Sequence, residues 1–208
     1  RISLPASLEP MILQLGMLTV IKFITGLGST SLAAHRAAIA VESLSFMPCN
    51  GLAVACSAVV GRAIGARRID RAEVGIAESI RLALWMMISL GVFFYICSSF
   101  LMELFIPGDP AVVALGAACL AMSAFEQPFM GLAMVYGGAL RGAGDTRSPV
   151  YVSIVGLLLV RVPLSAIMVY VLKWGILGIW ITMIVDWLAR TLVFTYLKSR
   201  GRWKRIAL

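Results

Sequence analysis

Apolar residues dominate six long stretches of the chain, and polar residues cluster in the short connections between them. The stretches cover approximately residues 4–27, 33–60, 76–102, 111–139, 150–172 and 176–197. Each is long enough to cross a hydrocarbon core, which takes about 20 apolar residues. Because every backbone amide must be paired inside lipid, we expect each stretch to form a helix. Barrel strands would alternate polar and apolar residues, and these stretches do not.

The composition strengthens this prediction. Hydrophobic residues make up 61% of the chain and charged residues 13%, and the mean hydropathy is +0.95. A soluble domain carries about 25% charged residues, so a water-exposed surface is not what this composition builds. We therefore expect an all-α membrane protein in which a lobe of six transmembrane helices, residues 1–197, is followed by a basic tail, residues 198–208.

Basic residues occupy alternate connections. They are Arg62, Arg67, Arg68 and Arg71 after the second stretch, Arg141 and Arg147 after the fourth, and five residues of the tail. The positive-inside rule then predicts that both termini are cytoplasmic, in agreement with an even number of spans. The net charge of +8 suits contact with anionic lipid headgroups. We expect the lipid bilayer as a partner, and no nucleic acid.

Charged residues inside the predicted helices are candidates for function, because each costs about 2.5–3.5 kcal/mol at the centre of a membrane helix. They are Glu9, Glu42, Glu126, Arg161 and Asp186. Glu9 precedes Pro10, and Glu126 precedes Gln127 and Pro128. Proline leaves a carbonyl unpaired, and an acid beside such a carbonyl can bind a cation or hold a proton that a cation displaces. Alternatively, the glutamates stay protonated and hydrogen-bonded.

The other charges have a different interpretation. Arg161 and Asp186 occur at similar depths on consecutive antiparallel helices, so we expect a structural ion pair, since buried charges are usually paired. Glu42 is seven residues from His35, two turns along the same helix face, and is a secondary candidate. With one histidine in the chain, the sequence contains no catalytic pair or metal-ligand spacing. We expect a transporter rather than an enzyme, without a cofactor.

Several stretches resemble the multidrug and toxic compound extrusion (MATE) transporters. They are LGSTSLAAHRAA at 27–38, ESLSFMP at 42–48, VGRAIGARRIDRA at 60–72, GGALRGAGDTRSP at 137–149, RVPL at 161–164 and GRW at 201–203. They follow one another in order across nearly the whole chain. Their glycines and small residues permit tight turns and close helix contacts.

The resemblance implies one of two six-helix lobes that face each other across a central cavity, and this chain resembles the C-terminal lobe. It further implies residence in the plasma (inner) membrane and efflux of small organic, often cationic, compounds in exchange for Na⁺ or H⁺. The missing N-terminal lobe or a second copy is then the expected partner. Candidate substrate contacts are Phe129, Tyr136 and Gln14, where an aromatic face contacts a flat cation or simply packs in the core.

The resemblance also places coupling acids in the first and fourth helices, and here the chain departs from the pattern. The family's acidic positions align with Leu13 and Met130, whereas Glu9 and Glu126 each lie one turn earlier on the same helix face. Either the coupling site, formed by Glu126, Glu9 and Gln127, is displaced along the helix axis, or coupling depends on the absent lobe. The alternatives are a flippase of lipid-linked precursors and a half-protein that acts as an assembly partner.

Overall fold

A computed structural model describes residues 3–201 and Trp203, and the side chains from residue 11 onward except that of Ile12. Six helices account for nearly all of this part of the chain. They are α1 (Ser3–Thr25), α2 (Ser29–Gly65), α3 (Ile69–Phe105), α4 (Pro110–Gly142), α5 (Arg147–Val171) and α6 (Gly175–Ser199). Five of them, α2 to α6, are long and apolar enough to cross a membrane, and α1 contributes a shorter apolar segment, Leu13–Thr25. The predicted all-α fold is confirmed.

Helices α2 and α3 each span 37 residues and extend beyond the apolar stretches from which they were predicted. Their additional turns carry charged residues such as Arg62 and Asp70. Hydropathy marks only the part of a helix that suits lipid, whereas the backbone hydrogen bonds continue until a turn interrupts them. The predicted stretches are therefore shorter than the helices.

Short turns reverse the chain between helices. Gly28, before α2, and Gly144, before α5, have φ of 105° and 89°, conformations that glycine adopts without a steric penalty. Asp145, two residues before α5, stabilises the start of this helix. Its carboxylate accepts hydrogen bonds from the backbone N–H and the hydroxyl of Ser148, at 2.9 and 2.6 Å. We call the two ends of the bundle the Gly28 end and the Gly144 end after these turns.

Helix α4 is the centre of the bundle and packs against α2, α3 and α6. Small residues make the contact with α2 close: a Cβ on Gly138 would overlap the carbonyl oxygen of Ala53, and a Cβ on Gly142 that of Ser57. Such contacts are typical of membrane helices, where packing rather than hydrophobic burial drives association. In contrast, α3 exposes large apolar side chains, including Trp85, which suit a lipid-facing surface.

Helix α5 departs from regular α geometry. It contains two π-helical segments, Gly156–Arg161 and Ile167–Val171, which flank a turn that includes Pro163. A proline inside a helix removes one N–H donor, and π-helical turns are a known way of accommodating such an interruption, often at functional sites. Arg161 is the last residue of the first π segment, which brings its side chain into the bundle interior.

Candidate functional site

Glu126 lies on α4 with no exposed surface, although it carries an ionisable group. Two residues later Pro128 stands inside the continuous helix and lacks the N–H that would reach the Ala124 carbonyl. That carbonyl faces α3, where a Cβ on Gly91 would come within 2.8 Å of its oxygen. The acid and the altered backbone therefore occur on the same helix segment, although the freed carbonyl is directed at a neighbouring helix.

Glu42 of α2 is the partner of Glu126. Its side chain is 1% exposed, and the two carboxyl groups interact electrostatically. None of their four oxygens accepts or donates a hydrogen bond to any other group in the described part of the chain. Two neighbouring carboxyls with no other partner form a site that suits one proton or one cation. The sequence ranked Glu42 second because the residue opposite it was not known.

Gln127 is also wholly buried, and neither its amide oxygen nor its amide nitrogen has a partner among the described residues. Buried amides are nearly always hydrogen-bonded, so an unpaired one indicates a missing ligand, water or neighbouring chain. Ser123 lies one turn away and is occupied by a hydrogen bond of 2.7 Å to the Leu120 carbonyl. The buried face of α4 is therefore polar around Glu126.

Asp186 of α6 has the opposite environment. Arg190 donates two hydrogen bonds to it, Nε to Oδ1 at 2.7 Å and Nη2 to Oδ2 at 2.8 Å. Arg161 Nε lies 2.9 Å from Oδ2, so the structure brings together the two residues predicted to pair. We call Arg161, Asp186 and Arg190 the charged triad. It holds two positive charges and one negative charge at membrane depth.

Arg190 was missed by the sequence analysis. The available signal was its spacing from Asp186, because residues four apart lie on the same face of a helix and an acid–arginine pair there is favourable. The guanidinium also stacks on Trp187, with 5.0 Å from Cζ to the ring centroid. Gly156 leaves room for the pair, since a Cβ there would be 2.6 Å from Asp186 Oδ1 and 2.7 Å from Arg190 Nε.

The remaining predicted site residues have other neighbours or are exposed where the structure describes their side chains. Tyr136 is ten residues after Glu126, about 15 Å along the helix, and its ring faces Lys198 Nζ at 6.0 Å. Phe129 is half-buried, and its carbonyl accepts a hydrogen bond of 2.7 Å from Thr191. Gln14 is exposed. The side chain of Glu9 lies outside the described residues, so its relation to Glu126 stays a prediction.

His35 does not contact Glu42, the loose pairing considered from the sequence. Its ring meets Trp180 edge-on at 5.7 Å between centroids, and its Nδ1 has no partner in the described part of the chain. It lies instead beside a cavity of about 170 Å³ that Arg161 also lines. A second cavity of about 300 Å³ lies between α5 and α6 and is lined by Arg190. Each arginine of the charged triad thus borders a different cavity.

Comparison with known proteins identifies a family whose model matches most of the chain. Residues 5–167 match the model of the MatE family. The probable multidrug resistance protein NorM of Thermotoga maritima is 28% identical over 208 residues, which are 100% of this chain and 45% of that protein. The NorM protein of Pseudomonas aeruginosa is 33% identical over 79% of this chain and 35% of its own length. The chain thus spans less than half the length of these relatives.

Solved structures share the fold. A MATE transporter crystallised in complex with MaL6 superposes with a TM-score of 0.88 at 20% identity, over 98% of this chain and 46% of that one. A transporter of the MOP superfamily from Pyrococcus furiosus gives a TM-score of 0.86 at 23% identity, over 93% of this chain and 42% of that one. At these identities the likeness concerns the arrangement of the helices.

Proposed function

The chain belongs to the MatE family of membrane transporters, and on that premise we propose that it forms the C-terminal lobe of an efflux antiporter. Its substrates are small organic, often cationic, compounds, and the exchanged ion is Na⁺ or H⁺. The mouse relative, at 29% identity over 88% of this chain, is named multidrug and toxin extrusion protein 1, which supports this substrate class. The observation that carries the proposal is the buried pair of Glu42 and Glu126.

The acid pair suits coupling because its neighbours leave it unoccupied. Asp186 is already held by two arginines, whereas the oxygens of Glu42 and Glu126 have no hydrogen-bond partner among the described residues. A monovalent cation that enters the acid pair replaces a proton, so the total charge of the two carboxyl groups and the bound ion changes little. Glu126 is the main coupling residue in this proposal, and Glu42, Gln127 and Glu9 are the residues that assist it.

Charge balance also favours this assignment. The charged triad carries a net charge of +1, because two arginines surround one aspartate. Arg161 interacts electrostatically with both glutamates, so the two groups belong to one buried network. One proton shared by the two glutamates makes that network neutral, and so does one bound monovalent cation with both carboxylates ionised. Buried charge in lipid is costly unless it is balanced.

Transport then follows from a difference in binding between two conformations. A cation or proton on the acid pair stabilises one packing of α2 against α4, and substrate stabilises the other, which is the general requirement for coupled exchange. Helices α2 and α4 are in close backbone contact at Gly138 and Gly142. Because this contact leaves no room for local adjustment, we expect a change of packing to move whole helices. The irregular α5, with its two π segments, is the part of the lobe best suited to bend.

The proposal includes the placement of the lobe. The basic residues of the connections after α2 and α4 are at the Gly144 end, together with the start of α1 and the end of α6, so this end faces the cytoplasm of an inner membrane. A second six-helix lobe, in the same polypeptide or in another copy, supplies the other wall of the substrate cavity. The coverage of less than half of the relatives' length supports such a second lobe.

The test is efflux by the full-length protein in everted vesicles, with ethidium as the cationic substrate. Glu126→Gln keeps the size of the side chain and removes its charge. We expect at least a tenfold loss of Na⁺- or pH-driven efflux, with normal abundance in the membrane, and Glu42→Gln to have a similar effect. The matched control is Glu78→Gln on α3, whose carboxylate is exposed and pairs only with Arg81 at the surface.

Unchanged efflux in Glu126→Gln, with an unchanged dependence on pH and Na⁺, would rule out the acid pair as the coupling site. Loss of efflux with retained ion dependence of the residual rate would assign Glu126 to substrate contact instead. Comparing Na⁺ gradients with pH gradients in the unmodified protein identifies the exchanged ion.

A further inference from the structure

Two arginines supply the charge in the lining of the cavity of about 170 Å³ beside Arg161. It lies between α1, α2, α5 and α6, and six apolar side chains and three basic ones surround it. Arg36 and Arg161 carry the charge, His35 supplies imidazole nitrogens, and no acid is among the lining residues that the structure describes. This is the reverse of the environment of the acid pair. A cavity with apolar walls and cationic groups at membrane depth suits an anion with an apolar body.

Arg161 keeps charge and donors available on the cavity side. Asp186 accepts hydrogen bonds from Arg190 at both of its oxygens, and Arg161 Nε lies 2.9 Å from Oδ2. Its Nη1 points at the sulfur of Met17, 3.8 Å away, and Met17 lines the cavity. A thioether is a weak acceptor, so an anionic oxygen in the cavity would be a far better partner for this guanidinium.

His35 contributes a second buried polar group. Its side chain is almost inaccessible, at 7% exposure, and its Nδ1 has no hydrogen-bond partner within the described residues. Trp180 fixes the ring orientation from one side through the edge-on contact. Arg36 lines the same cavity from an exposed position. One buried arginine, one buried histidine and one exposed arginine thus surround a single apolar space.

We propose that this cavity binds a small amphiphilic anion, a carboxylate or phosphate group attached to an apolar body. Arg161 and His35 bind the anionic head, and the apolar walls, including Ile21, hold the body. Arginine suits this task because its planar fork pairs with carboxylate and phosphate oxygens. The cavity is smaller than the roughly 300–1,000 Å³ of pockets for drug-sized ligands, so the enclosed part is about one ring or a short alkyl chain.

The cavity is not lined by Glu42 or Glu126, although Arg161 interacts electrostatically with both, and the proposal is tested by binding rather than by transport. Benzoate, benzamide and benzamidinium have nearly the same shape and differ in charge, so they separate electrostatic recognition from apolar burial. Equilibrium dialysis of the full-length protein in a neutral detergent measures their affinities. We expect benzoate to bind at least tenfold more tightly than benzamide, and benzamidinium to bind more weakly than either.

Variants locate the binding. We expect Arg161→Gln to weaken benzoate at least tenfold, Arg161→Lys to restore part of the affinity, and Arg36→Gln to weaken it by about threefold, because exposed charges are screened. Ile21→Trp fills the cavity without a change of charge and should abolish binding. Arg81→Gln, at the exposed ion pair with Glu78, is the control that should bind normally. If Arg161→Gln does not fold, Ile21→Trp and Arg36→Gln show whether benzoate binds in this cavity.

The anion can come from a lipid headgroup or from a free solute, and a second arm distinguishes these sources. Native mass spectrometry after reconstitution measures retention of phosphatidylglycerol against phosphatidylcholine. Retention of phosphatidylglycerol that Ile21→Trp removes identifies a lipid occupant, and benzoate binding without such retention identifies a free organic anion. Equal affinity for the three benzene derivatives, unchanged binding in Ile21→Trp, or no binding of benzoate and phosphatidylglycerol would each overturn the proposal.

Discussion

Asp186 and Glu126 are both wholly buried acids in one helical bundle, yet their neighbours differ completely. Asp186 accepts two hydrogen bonds from Arg190 and contacts Arg161. Glu126 faces Glu42, a group of the same kind, and its oxygens have no other partner among the described residues. A buried charge with matched partners is a permanent part of the fold, whereas an acid that faces another acid has room for an exchangeable ion.

Replacing Asp186 is expected to have the largest effect on stability, and it tests the difference between the two buried acids most directly. Asp186→Asn leaves the buried Arg161 and the largely buried Arg190 without a carboxylate, and loss of one partner from a buried ionic network costs about 3–5 kcal/mol. We expect a protein of much lower abundance and lower midpoint of thermal unfolding in detergent. Fluorescence-detected size-exclusion chromatography after heating measures both. A variant as stable as the unmodified protein would mean that the charged triad is not a structural support.

Gly156→Ala tests the same network without removing a charge. The added Cβ would lie 2.6 Å from Asp186 Oδ1, so the ion pair or the π segment must shift, at a cost typical of overpacking, about 1–3 kcal/mol. Gly51→Ala is the matched control, because nothing lies within 4 Å of a Cβ at that position. A lower unfolding midpoint for Gly156→Ala alone is the expected result, and equal midpoints would contradict it.

Removing a neutral hydrogen bond between α6 and α4 is expected to lower the free energy of unfolding by a smaller amount. Thr191 Oγ1 donates to the Phe129 carbonyl at 2.7 Å, close in sequence to both Glu126 and Asp186. Thr191→Val removes this bond with little change of shape, and we expect a loss of about 0.6 kcal/mol, the average for hydrogen bonds between membrane helices. Unfolding in mixed micelles measures the loss of free energy of unfolding. A loss as large as that of Asp186→Asn would show that packing, not charge, dominates the contact between α4 and α6.

The smallest effect on stability is expected at the acid pair. The single variant Glu126→Gln keeps the buried network neutral, because an ionised Glu42 balances the net charge of +1 on the charged triad, and its amide can donate a hydrogen bond to Glu42. We expect an unfolding midpoint equal to or above that of the unmodified protein, together with the loss of coupled efflux. A strong fall in the midpoint would instead make the acid pair a structural element like Asp186.

Much of the fold followed from local pattern. The six apolar stretches identified the helices, because lipid requires a long run of apolar residues and a backbone that satisfies itself. The small residues of the stretches at 27–38 and 137–149 predicted tight turns, and Gly28 and Gly144 lie in them. The irregular course of α5 was not predicted, since Pro163 indicates an interruption of the helix but not the π geometry that accommodates it.

The candidate site was predicted in part. Burial of Glu126, Gln127, Arg161 and Asp186 followed from their depth in apolar stretches, and the contact of Arg161 with Asp186 from the antiparallel order of neighbouring helices. The pairing of Glu42 with Glu126 was not predicted, because it depends on which faces of α2 and α4 meet. The cavity that joins His35 to Arg161 was missed for the same reason.

By itself, the sequence determined that this protein lies in a membrane as six helices, and that Glu42, Glu126, Arg161 and Asp186 are buried there. Those properties are set along the chain, by the cost of exposing polar backbone and side chains to lipid. Only the tertiary structure decided which buried charge neutralises which. A charge interacts with whatever lies within a few ångströms, and in a helical bundle those neighbours come from other helices far away in sequence.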